Sequence, residues 1–226
     1  MQVVTDSAER FAADVRAGLR QHADPTYVAG TVAARSPGKP VLGVRIPLLR
    51  GAVRTALKCA AGDEATVRVV ADRLWHGVAH EEELAACMLL RLAGTRITAS
   101  TVAQWAPSLD NWLSVDELGG CLGEAITDDP GMLVDLSSLA RSESPWQRRL
   151  YVVGLIKPVR DGLDPGGLPL LVSVMQDDAK PVRKASAWLL GAVLKVRPSA
   201  APQFLAVWPP GAPRLLTRLL ERVPVA

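Results

Sequence analysis

NWLSVDELGGCLGEAI, residues 111–126, decides the fold. Its apolar residues recur at helical spacing, and Trp112 and Asp116 stand four residues apart, so on a helix an indole and a carboxylate share one face. Glu117 points about 100° away around the same helix. The question is what a large aromatic and an acid do side by side.

Working outward from this stretch, the helical period repeats almost everywhere. In AERFAADVRAGLRQ (8–21), Phe11, Val15 and Leu19 recur every four residues, with Asp6 or Ser7 available as an N-cap. PTYVAGTVAAR, IPLLRGAVRTALKCAA, EATVRVVADRLWHGV, EEELAACMLLRLAG, TASTVAQWAPSL, MLVDLSSLAR, PWQRRLYVVGLIKPV, LPLLVSVMQ and KPVRKASAWLLGAVLKV read the same way. So do APQFLAVW (201–208) and APRLLTRLLERV (212–223). Strand signals are nearly absent. Asp24-Pro25, Asp129-Pro130, Ser144-Pro145 and Asp164-Pro165 each place a capping side chain before a proline that suits the first helical position. Comparable helices begin near Asn111, Pro145 and Lys180, a period of roughly 35–40 residues that fits a helix-pair solenoid. Successive repeats would bring equivalent helices onto one inner face. The reading is all-α: a right-handed-type α-solenoid of HEAT-like antiparallel helix pairs with a concave basic groove, one domain over residues 1–226.

Composition narrows the function classes. The chain has 226 residues and a net charge of +3, which permits an anionic partner without demanding one. Cys59, Cys87 and Cys121 lie in apolar segments without CxxC spacing and read as buried free thiols in a reducing cytosol. The longest apolar runs, such as LYVVGLI, fall well short of a bilayer span. A P-loop around Gly38-Lys39 fails, because Ala33 and Pro40 stand where glycine and a hydroxyl residue are needed. The 34–47 loop nevertheless presents Lys39, Arg45 and, just beyond it, Arg50 as candidate phosphate contacts. His76 and His80 have the spacing of a helical metal pair, but Gly77 replaces the glutamate of a zinc-protease motif, so no metal is expected. Glu81, Glu82 and Glu83 read as an acidic first helical turn. No serine elbow or Cys–His pair is present, and only three histidines are available. Any reaction here must need few proton donors.

Four residues stand out together: Trp112 and Asp116, Arg149 in PWQRRL, and Trp188 in VRKASAWLLG. They lie on helices related by the repeat and converge on one face. Two indoles, an acid and a guanidinium suit a ligand that is cationic and anionic at once, such as a charged base on a phosphate backbone.

VLGVRIPLLR, LWHGVAHEEELAACMLL, NWLSVD, PWQRRL and DDAKPVRKASAWLL, in that order, resemble the HEAT-like DNA alkylation repair glycosylases of the AlkD type over most of the chain. The resemblance implies that Trp112 and Trp188 are aromatic walls, Asp116 the catalytic acid and Arg149 a phosphate anchor beside Trp146. It also implies that Arg148, Lys180, Arg183 and Lys184 join Lys39, Arg45 and Arg50 on DNA. Leu113 and Gly191 replace residues that are usually charged in the family, which bears on substrate range. The implied activity is hydrolysis of the N-glycosidic bond of cationic N3- or N7-alkylated purines in duplex DNA, without base flipping and with bulky adducts accepted. No cofactor is implied. The protein would be a cytoplasmic monomer, on the bacterial nucleoid when bound to DNA. The alternative is a non-catalytic HEAT-repeat module that binds DNA or protein through the same face.

Overall fold

The computed structural model describes residues 2–35, 37–60, 63–164, 168 and 170–200. The helices expected at 201–208 and 212–223, and Pro165 of the Asp164-Pro165 cap, lie outside the described residues. The helices are α1 (Gln2–Gln21), α2 (Pro25–Arg35), α3 (Ile46–Cys59), α4 (Glu64–Trp75), α5 (His80–Ala93), α6 (Ala99–Trp105), α7 (Trp112–Asp128), α8 (Met132–Asp135), α9 (Ser137–Ala140), α10 (Pro145–Gly154), α11 (Ile156–Arg160), α12 (Leu171–Met175) and α13 (Lys180–Val196). No strand occurs among the described residues, and none of their helices is long and apolar enough to cross a membrane.

The organising element is a row. α3, α5, α7, α10 and α13 begin at Ile46, His80, Trp112, Pro145 and Lys180, and each packs on the next. The starts recur roughly every 33 residues, and neighbour-only packing of such units is an α-solenoid. α1 and α4 cover the first rungs, with Ala8, Phe11, Ala12, Val15 and Leu19 of α1 turned fully inward.

Local chemistry sets the helix ends, and not always where the prolines suggest. Asn111 caps α7, its Oδ1 accepting from the amides of Leu113 and Ser114 at 3.0 Å. Asp63 caps α4 by accepting from the Thr66 amide, and Thr98 caps α6 through the Thr101 amide. Asp24 and Asp129 accept from the amides of Thr26 and Gly131, but Ser144 makes no side-chain cap. Asp6 lies inside α1, which starts earlier than its apolar stripe. The run PWQRRLYVVGLIKPV divides at Leu155, because Pro158 has no N–H to offer the Gly154 carbonyl four residues back. MLVDLSSLAR divides at Leu136.

α5 departs most from its sequence reading. It is buried almost all round, and Glu81, Glu82 and Glu83, expected as a solvated acidic turn, are 2–4% exposed. Each carboxylate has its own structural partner. Glu81 accepts from the amides of Leu42, Gly43 and Val44 at 2.8–3.1 Å, closing the loop ahead of α3. Gly43 is required there, because its φ is +81° and a Cβ would lie 2.2 Å from the Asp24 carbonyl. Glu82 takes the Arg16 guanidinium at 2.6 Å and the Ala79 amide at 3.2 Å. Glu83 takes Lys39 at 2.9 Å and the Ser114 hydroxyl. Burial pushes the Glu83 carboxyl up, but hydrogen bonds from His80, Lys39 and Ser114 outweigh it and hold the group below its usual value.

His76 ends α4 and His80 begins α5, so the two do not share a helical face. Among the described residues, no group of three His, Cys, Asp or Glu is placed to hold a metal. Cys87 and Cys121 are buried as expected; Cys59, at the end of α3, is exposed.

Candidate functional site

Gly119 and Gly154 explain how the site is assembled. A Cβ on Gly119 would lie 2.5 Å from Val153 Cγ1, and one on Gly154 would lie 2.8 Å from Leu122, so glycines let α7 and α10 approach closely. That approach carries Arg149 onto Asp116. Arg149 Nε and Nη2 donate to Asp116 Oδ1 at 3.0 and 2.7 Å, and Nη2 also reaches Oδ2 at 3.0 Å. Arg149 Nη1 donates to the Pro181 carbonyl at 2.8 Å, which ties in the first turn of α13. The arginine side chain is 5% exposed and the aspartate 31% exposed. Burial pulls the Arg149 guanidinium below its usual value, with Asp116 working the other way.

Two cations lie against the Trp112 ring, Arg149 Cζ at 4.5 Å and Lys184 Nζ at 4.9 Å, with Trp146 edge-on at 5.5 Å. Trp188 is half exposed. It lines a cleft of about 360 Å³ together with Asp116, Gly120, Arg91, Lys157 and Arg160. A second cleft, also about 360 Å³, is lined by Arg50, Arg54, Arg91 and Glu124, and shares Arg91 and Glu124 with the first. Neither lining includes a histidine or cysteine. Glu117 faces Arg91 at 3.7 Å, and burial raises its carboxyl above the usual value against the pull of Arg91 and Arg50.

The structure therefore brings Trp112, Asp116, Arg149 and Trp188 into one region, as the spacing anticipates, but gives Arg149 a different task. Its guanidinium is inside the protein holding Asp116 and α13, not presented to an outside phosphate. Two further expected contacts are internal for the same reason. Lys39 donates to the Trp75 carbonyl at 2.7 Å and pairs with Glu83, while Arg148 pairs with Asp177 and donates to the carbonyls of Ser142 and Glu143. Arg45, Arg50, Lys180 and Lys184 are exposed and Arg183 is partly so. Arg45 sits over the Tyr27 ring at 5.0 Å, 3.7 Å from Asp24.

Arg54, Arg91, Lys157 and Arg160 were not singled out by motif. A register signal could have found part of the pattern. Arg50, Asp116, Arg149 and Lys184 are each the fifth residue of their rung, and Arg54, Gly120, Val153 and Trp188 each the ninth. Aligning the rungs at their first residues reads these rows off the sequence.

A family model described as DNA alkylation repair enzyme matches residues 15–219. None of the curated proteins matches the chain. Among solved structures, one described as a predicted DNA alkylation repair enzyme from Enterococcus faecalis is similar with a TM-score of 0.71 at 17% identity, over 90% of this chain and 97% of that one. At that identity the likeness is one of fold.

Proposed function

The chain belongs to the DNA alkylation repair enzyme family, and from that premise we propose that it is a monofunctional DNA glycosylase. It hydrolyses the N-glycosidic bond of cationic N3- or N7-alkylated purines in duplex DNA. The observation that carries the reading is the Asp116 carboxylate at a cleft bounded by the Trp188 indole, in a lining that mixes Arg91, Lys157 and Arg160 with Glu124 and Asp161 and has no histidine.

An alkylated purine is already positively charged. When its bond to C1′ breaks, the electron pair neutralises the base, so no general acid is needed. What remains is an oxocarbenium-like sugar, and a fixed carboxylate is the group that stabilises it. Water adds to C1′ and its proton passes to solvent or to Asp116. Arg149 holds Asp116 in place and aims it. The indoles favour a cation on their faces by about 0.5–2 kcal/mol each. Phosphates run along the face carrying Arg50, Arg54, Arg160, Lys180 and Arg183, while Arg91 is held by Glu124 and Lys157 by Asp161. The duplex is read there without extruding the base, because the clefts are open rather than enclosing.

The test incubates the protein with alkylated duplex DNA and measures free modified base and alkali-labile abasic sites. Wild type releases base. Asp116→Asn lowers release by on the order of 10²-fold or more. It also lowers stability by about 1–3 kcal/mol, because Arg149 loses its partner, so the assay belongs well below the variant's Tm. One observation favours a non-catalytic binding module instead: both Asp116 oxygens already accept bonds from Arg149. DNA binding without base release would establish that alternative.

A further inference from the structure

Two cations lie against the Trp112 ring before any ligand arrives, and one of them, Lys184, is not locked in place by the protein interior. Lys184 reaches from α13 past the Arg149 rung to place its ammonium 4.9 Å from the Trp112 ring. Unlike Arg149, it is exposed and sits on a flexible four-carbon stem. It also lies one helical turn before Trp188 on the same helix, so it stands between the two indoles of the proposed site. A third positive charge arriving at Trp112 meets Lys184 directly. Two unit charges about 5 Å apart repel, even with full water screening, by the equivalent of about a fourfold loss of affinity. A cationic base must therefore displace the lysine or bind weakly.

We infer that Lys184 is a specificity-determining exchange residue: in the free protein it holds the place of the substrate's positive charge on Trp112, and it moves to a backbone phosphate only when a cationic base takes that place. The inference rests on the glycosylase reading of the site. Displacement is favourable when one ligand supplies both halves of the exchange, a cation for the indole and an anion for the released ammonium. A neutral base brings no positive charge to drive the ammonium off Trp112, and Lys184 stays. A free cation gives Lys184 no phosphate, and the repulsion stands. The device thus recognises the coincidence of positive base and phosphate, which is the signature of alkylated DNA.

The exchange makes a prediction that an ordinary phosphate contact does not. Each phosphate newly neutralised on duplex DNA adds about −0.9 to the slope of log K against log salt. Affinity is measured from 50 to 200 mM salt for wild type and Lys184→Gln on two duplexes. One is unmodified; the other carries a 2′-fluorinated N7-methylguanine, whose glycosidic bond is slow to break. Wild type should be steeper on the lesion duplex by about 0.9, a further loss of about 3.5-fold over that range. Lys184→Gln should abolish that difference and leave the slope on unmodified DNA unchanged. Equal flattening on both duplexes would make Lys184 a plain phosphate contact and overturn the inference. So would no flattening on either, or wild-type slopes that do not differ. Base release by wild type from the unfluorinated lesion is scored separately. If it is present while the slope test fails, the exchange is wrong and the glycosylase reading stands; if it is absent, that reading fails.

Discussion

Arg149 is the residue whose role changes most between sequence and structure. A guanidinium 5% exposed and bonded to Asp116 and the Pro181 carbonyl has no free face for a phosphate. Arg149→Ala should accordingly leave the salt slope of DNA binding unchanged, while lowering base release by about 10- to 100-fold as Asp116 loses its aim. Measuring both on one variant separates the roles, and a slope flattened by about 0.9 would return Arg149 to the phosphates. Glu117 offers a pH test. Its folded-state pKa is raised by burial, so the folded protein binds that proton more tightly than the unfolded chain does. Its contribution favours folding at low pH and is lost as pH rises through the usual carboxylate value to the raised one. Glu117→Gln removes that loss. The variant should melt higher than wild type at pH 7, and the gain should shrink below the ordinary glutamate range; equal Tm values at both pH values would refute it.

At the scale of the element, α7 and α10 meet through Gly119, where there is no room for one more carbon. Gly119→Ala places a Cβ 2.5 Å from Val153 Cγ1 and should cost about 1–3 kcal/mol, together with base release, because the helices that present Asp116 and Arg149 are forced apart. Val153→Ala in the same chain should recover part of both losses, and purely additive effects would show that the contact is not the cause. Elements also mark how far the sequence could be read. Helical period and prolines located the rungs at 112, 145 and 180, and a four-residue interval was enough to pair Trp112 with Asp116. Glu81, Glu82, Glu83 and Lys39 were not legible. A carboxylate or ammonium reads as solvated unless its partners are known, and the long-range ones here lie 31–66 residues away in sequence. The break at Leu155 was legible in principle, since Pro158 was in view.

The molecule as a whole presents open clefts along one row of helices, and that bears on substrate size. A pocket that encloses its base selects by shape, whereas an indole and a carboxylate beside an open cleft select by charge. Release of N7-methylguanine, a bulky N3-alkyladenine and neutral hypoxanthine should be compared from matched duplexes. Both cationic bases should be released and hypoxanthine should not; efficient hypoxanthine release, or complete refusal of the bulky cation, would contradict charge selection.

α5 has a consequence for the life of the chain before it is an enzyme at all. The amides of Leu42, Gly43 and Val44 find their acceptor on Glu81, 37–39 residues downstream. On a ribosome adding about 5–20 residues per second, that acceptor arrives roughly two to eight seconds after the loop it must close. Arg16 waits longer still for Glu82, 66 residues away. During that interval α1 can already pack on α3 and α4, but its Arg16 lacks the buried carboxylate that fixes it. Although solenoids are built by local stacking, the opening rungs of this one close late and together, when its fifth helix emerges.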